Sequence, residues 1–144
     1  MSHLHSLRSA DWVRVELAVA AAFHILFGVT IVAAPEEQVV TTGLRPVFEI
    51  APGLLDVAAT RALWAACYIA AALALMWLFA HRSVTAQLVA WLTVIPIAFV
   101  WLGVFLLAAL AGLGSALGVV VWLTLLVWWA TIAVRVGLTT NPGS

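Results

Sequence analysis

Residues 84–110 read VTAQLVAWLTVIPIAFVWLGVFLLAAL, an unbroken run without one charged side chain. A hydrocarbon layer about 30 Å thick is crossed by roughly 20 apolar residues at 1.5 Å of helix rise each. The run therefore predicts a membrane-spanning helix with length to spare, which a tilted helix uses. Working back from it, His81-Arg82-Ser83 forms a polar break, and Ala58 to Ala80 is a second apolar span with Arg61 in its first turns. Working forward, Gly112-Leu113-Gly114-Ser115 has the composition of a tight turn, and Ala116 to Val136 is another span ending at Arg135 before the polar tail Leu138 to Ser144. Near the start, Trp12 to Ala34 is apolar enough to cross as well, and Pro35-Glu36-Glu37 ends it.

The expectation is an all-α polytopic membrane protein, a four-transmembrane-helix bundle with helices at about 12–34, 58–80, 84–110 and 116–136 in one domain covering residues 1–144. Composition agrees. Hydrophobic residues make up 66% of the 144 and charged ones 8%, against roughly 45–50% and about 25% in a soluble domain. A chain this short and this apolar would leave much greasy surface in water, at about 25 cal/mol per Å². Lipid removes that penalty, so the bilayer is the first partner.

Val32-Ala33-Ala34 has the small residues of a secretory cleavage site. The apolar run before it is longer than a 7–15-residue signal core, it contains Glu16 and His24, and Pro35 would follow the cut. A retained helix is the expectation. Residues 35–57 then form the one sizeable extramembrane loop, with Pro35, Pro46 and Pro52 and the acids Glu36, Glu37, Glu49 and Asp56. Its apolar Val47, Phe48, Ile50, Leu54 and Leu55 suit contact with the bilayer surface, while Pro46 and Pro52 prevent a continuous helix.

Arginine placement sets the expected orientation, because basic flanks stay on the cytoplasmic side. With the N-terminus inside, Arg8, Arg14, Arg82 and Arg135 are cytoplasmic, whereas Arg45 and Arg61 lie outside with the acidic loop. Both termini are thus expected in the cytoplasm and the chain in the inner, cytoplasmic membrane. All basic residues are arginine and none clusters, so no nucleic-acid partner is expected. Trp12, Trp64, Trp77 and Trp101 are candidates for the interfacial belt. The single cysteine, Cys67, allows neither an internal disulfide nor a cysteine-based zinc site.

Three features invite a functional reading. Ala58, Ala62, Ala66, Ala70 and Ala74 recur every four residues, a small-residue stripe that lets two helices approach closely in lipid. Its partner is expected within the same bundle, with another copy or another membrane protein as the alternative; Gly114 and Gly118 repeat the spacing at the start of the fourth helix, where a tight turn is the other reading. Glu16, Ala20, His24 and Gly28 share a stripe on the first helix, and ionisable groups at that depth should face the bundle or a wet cavity. This stripe is either a proton, ion or pore path, or a neutral His24 bonded to a neighbouring helix with Glu16 paired to Arg135. Pro96 removes its own N–H bond to the Leu92 carbonyl and should kink the third helix, with Thr93 placed to satisfy the freed carbonyl. His24 and His81 differ in depth by about 15 Å at 1.5 Å per residue, too far to share one haem iron. The chain has no phosphate loop, no HExxH, no CxxC and no paired intramembrane carboxylates. No catalytic residue, cofactor or metal is expected, and the chain is read as non-enzymatic.

The plan of a short charged start, a first span ending in Ala34-Pro35, Arg61-Ala62-Leu63-Trp64 opening a second, and two further spans rich in Trp, Ala, Val and Leu resembles small four-span membrane proteins of actinobacteria and their phages. Some of these are holins, and the resemblance implies a membrane-permeabilising oligomer. The tail Leu138 to Ser144 departs from that pattern in lacking the charged cluster many holins carry. Two other roles are open: an accessory or interaction subunit of a membrane complex, including one that excludes superinfecting phage, and a small carrier or redox-linked protein similar to the DoxX family, using His24 and Glu16.

Overall fold

A computed structural model describes residues 2–33, 57–112 and 116–140, and side chains over 12–33, 58–112 and 116–137. All of loop 35–57 but Val57, with its expected contact with the bilayer surface, lies outside these, as does Gly114. The described residues form four helices: α1 (Ser2–Ala33), α2 (Val57–His81), α3 (Val84–Leu110) and α4 (Ala116–Thr140). Each contains a stretch long and apolar enough to cross a membrane: Trp12–Ala33, Ala58–His81, Val84–Leu110 and Ala116–Gly137. α1 starts ten residues before its apolar part, because residues 2–11 contain neither proline nor glycine to stop it. Gly137, too, lies inside α4 rather than ending it.

The outside of the bundle is greasy. Leu26, Leu92, Leu110 and Leu117 are each about two-thirds exposed or more, as suits a surface solvated by lipid. α1 packs most extensively on α2, α3 on α4 and α2 on α3, with a lighter α1–α4 seam closing the ring. The seams differ because their side chains differ. Gly28 lies so close to α2 that a Cβ there would stand 3.2 Å from Tyr68 Cβ and 3.4 Å from the Ala65 carbonyl oxygen. The α1–α4 seam instead holds Phe23, Phe27, Trp122 and Trp129, whose rings keep the two backbones apart.

Local chemistry ends the helices. Ser83, in extended backbone (φ −84°), caps α3: its hydroxyl accepts the Ala86 N–H at 3.1 Å. Arg82 takes the left-handed conformation (φ 45°), which reverses the chain between α2 and α3. After α3, Gly112 (φ 71°) supplies the left-handed turn, its N–H donating to the Ala109 carbonyl at 3.1 Å. Arg61 closes another end from a distance: its Nε donates to the Ile31 carbonyl at 2.9 Å and an Nη to that of Val32 at 2.8 Å. A cation thus sits on the carbonyl end of α1, where orphan acceptors and the helix dipole favour it.

The core has two halves. Toward the end that carries the α1 N-terminus and the α2–α3 turn it is aliphatic, with Val13, Leu17, Leu75, Leu78, Ala86, Ala90, Ile132 and Val136 buried. From mid-span toward the other end it is aromatic, with Tyr68, Trp101, Trp122 and Trp129 buried. Trp101 is therefore a core residue, not an interfacial anchor, because Trp64 of α2 and Trp122 of α4 pack against its ring.

Candidate functional site: a buried polar centre in an aromatic column

The Glu16, Ala20, His24, Gly28 stripe faces inward: Ala20 and Gly28 are buried, Glu16 is half-buried and His24 is fully buried. At the end of the span, Arg135 donates to Glu16 Oε1 and ties α1 to α4. That is the pairing expected from the depths of the two residues. His24 behaves differently from the expectation. Its Nδ1 lies 2.7 Å from the Ala20 carbonyl of its own helix, not on a neighbour, because an i−4 carbonyl is within reach of a short ring on α1.

Rings surround His24. Trp129 is 5.0 Å away between centroids, Phe23 5.4 Å and Tyr68 5.7 Å. The column continues through Phe27, 4.9 Å from Tyr68, and Trp122, which stacks on Trp101 at 5.5 Å with 7° between planes, to Trp64 and Phe105. These spacings are those of packed aromatic pairs. The inner part of the stripe is thus packed against rings. Several polar atoms inside this packing have no partner among the described residues: His24 Nε2, Tyr68 OH, Trp129 Nε1 and Trp101 Nε1.

The alanine stripe is placed against expectation. Ala58, Ala62, Ala66 and Ala70 are exposed on the outside of α2, and only Ala74 is buried. The bundle instead uses Ala65, Ala71 and Ala72, at a different angular phase, since alanine fills both faces of the helix. Gly118 does serve internal packing: a Cβ there would fall 2.3 Å from Phe105 Cδ1. Pro96 is exposed within a helix that runs unbroken from Val84 to Leu110. Thr93 does not reach the Leu92 carbonyl; its hydroxyl donates to those of Ala90 (2.8 Å) and Val89 (3.0 Å), the acceptors one turn back.

An apolar groove of about 280 Å³ runs between α1 and α2, lined by Leu17, Ala18, Ala21, Ala22, Ile25, Met76 and Phe79. Among the described residues, no three His, Cys, Asp or Glu side chains converge to hold a metal ion. No family model, curated protein or solved structure matches the chain. The aromatic column is absent from the sequence expectations, which place tryptophan at the interface by residue type. Its signal lies in spacing: the four-residue step from Phe23 to Phe27 and the seven-residue step from Trp122 to Trp129 align rings on one helix face.

Proposed function

We propose that this chain is a non-enzymatic integral membrane protein that works by helix–helix association within the cytoplasmic membrane, with its N- and C-termini in the cytoplasm. One observation carries the reading: Ala58, Ala62, Ala66 and Ala70 form a ribbon on the outside of α2 that the chain's own bundle leaves uncovered. In lipid, association rests on close packing rather than water exclusion, and a ribbon of small residues is the surface that permits it. The holin-like form of this reading, in which copies assemble and breach the membrane, draws support from the same ribbon and from the resemblance in plan. A lesion would then form between bundles, since aliphatic side chains in one half and rings in the other pack the interior of each one. The accessory-subunit form uses the ribbon to meet a different chain. A carrier using Glu16 and His24 has less support. Glu16 is engaged by Arg135, and His24 lies eight residues further in, about 12 Å at 1.5 Å per residue, within packed rings.

Photocrosslinking in native membranes tests the reading, because it captures a second copy or a different chain alike. In a Cys67→Ser background, a benzophenone attached to Ala66→Cys should crosslink, while one attached to Val127→Cys, exposed on α4, should not. Equal yields at both positions, or none at Ala66→Cys, would remove the ribbon from consideration. A potential-sensitive dye during expression separates the two forms: abrupt depolarisation with self-crosslinks is the holin-like outcome, and a steady potential with crosslinks to another chain is the accessory one.

A further inference from the structure

We infer that His24, Tyr68 and Trp129 form a binding site for a water molecule at the mid-depth of the bilayer. The three side chains come from α1, α2 and α4, all are fully buried, and the Tyr68 and Trp129 rings stand 5.7 and 5.0 Å from the imidazole. The hydrogen-bonding roles follow from chemistry. The Ala20 carbonyl can only accept, so a neutral His24 carries its proton on Nδ1 and presents Nε2 as a bare acceptor. Trp129 Nε1 can only donate, and the Tyr68 hydroxyl does either. One acceptor, one donor and one group of both kinds, none with a partner among the described residues, are thus carried by the imidazole and the two rings packed on it.

Water fits that set. It donates to His24 Nε2 and accepts from Trp129, with Tyr68 completing about three hydrogen bonds, the usual complement of a buried water. The occupant is small, because rings at packed aromatic spacings leave no slot for a ring-bearing cofactor. The indole nitrogens of Trp91 and Trp101 also lack a partner among the described residues, but neither ring packs on His24 as that of Trp129 does. The water would tie α1 to α4 at the seam where bulky rings keep their backbones apart, and both to α2. This inference stands apart from the proposed association, since none of its groups lies on the outer ribbon.

The test uses the full chain in deuterated lipid bilayers with ¹⁵N-labelled histidine. Water-edited solid-state NMR should show magnetisation passing from water to the His24 Nε2 resonance, and Tyr68→Phe and Trp129→Phe should each lower the thermal unfolding midpoint with helix content unchanged before melting. Because both bind one water, the loss in the double variant should be smaller than the sum of the two. Absence of water transfer to Nε2 would overturn the assignment. So would a Tyr68→Phe protein at least as stable as the parent, since deleting a hydroxyl that bonds nothing relieves an apolar core.

Discussion

Gly118→Ala puts the α3–α4 seam to a quantitative test. A methyl group at position 118 would stand 2.3 Å from Phe105 Cδ1, 2.7 Å from Cε1 and 3.0 Å from Cγ, so the half-buried ring must move by about an ångström or the helices must part. Overpacking of this kind costs about 1–3 kcal/mol. Against it stands the better helix propensity of alanine, worth about 0.8–1.0 kcal/mol. The net expectation is a loss of about 0–2 kcal/mol by that difference. Gly103 isolates the second effect, because nothing lies within 4 Å of a Cβ built there. Gly103→Ala should therefore stabilise by about 0.5–1 kcal/mol, with the two variants separated by about 1–3 kcal/mol. Reversible unfolding in mixed micelles, followed by circular dichroism, measures both. Phe105→Ala removes the obstacle, and in that background Gly118→Ala should become as favourable as Gly103→Ala. A Gly118→Ala protein as stable as Gly103→Ala with Phe105 intact, or an unchanged penalty once the ring is gone, would refute the packing argument.

Arg61→Met keeps the apolar stem but strips two hydrogen bonds from the end of α1; a loss of about 1–3 kcal/mol is expected, and more rapid amide exchange at the end of α1 would register it. Ser83→Ala removes the α3 cap and should cost about 1 kcal/mol, read in the same micelle titration, whereas Ser83→Asp should recover most of it. The Glu16–Arg135 pair is partly exposed, so a double-mutant cycle with Glu16→Gln and Arg135→Gln should give a coupling of only about 0.2–1 kcal/mol, and a value several times larger would place the pair in a drier setting. Orientation is checked with a membrane-impermeant maleimide in a Cys67→Ser background: Gln38→Cys should label in intact cells and Ser144→Cys only after permeabilisation.

Four spans could be read directly from residue order because the requirement behind them is local: about 20 apolar residues satisfy the hydrocarbon thickness wherever the other helices lie. Polar breaks such as His81-Arg82-Ser83 were legible for the same reason, as was the Glu16–Arg135 pairing, which follows from two charges at matching depth. Facing was not legible. A helix that is apolar on every side carries no amphipathic signal, so Ala58, Ala62, Ala66 and Ala70 looked as fit for the interior as Ala65, Ala71 and Ala72, which occupy it. Only packing of all four helices chose between them, by setting Gly28 against Tyr68 and Gly118 against Phe105. The same packing drew Trp101, Trp122 and Trp129 into one column and left His24 bonded to its own helix, because ring contacts join residues far apart in the chain. Depth is inherited from residue order; direction around each helix is settled by its neighbours.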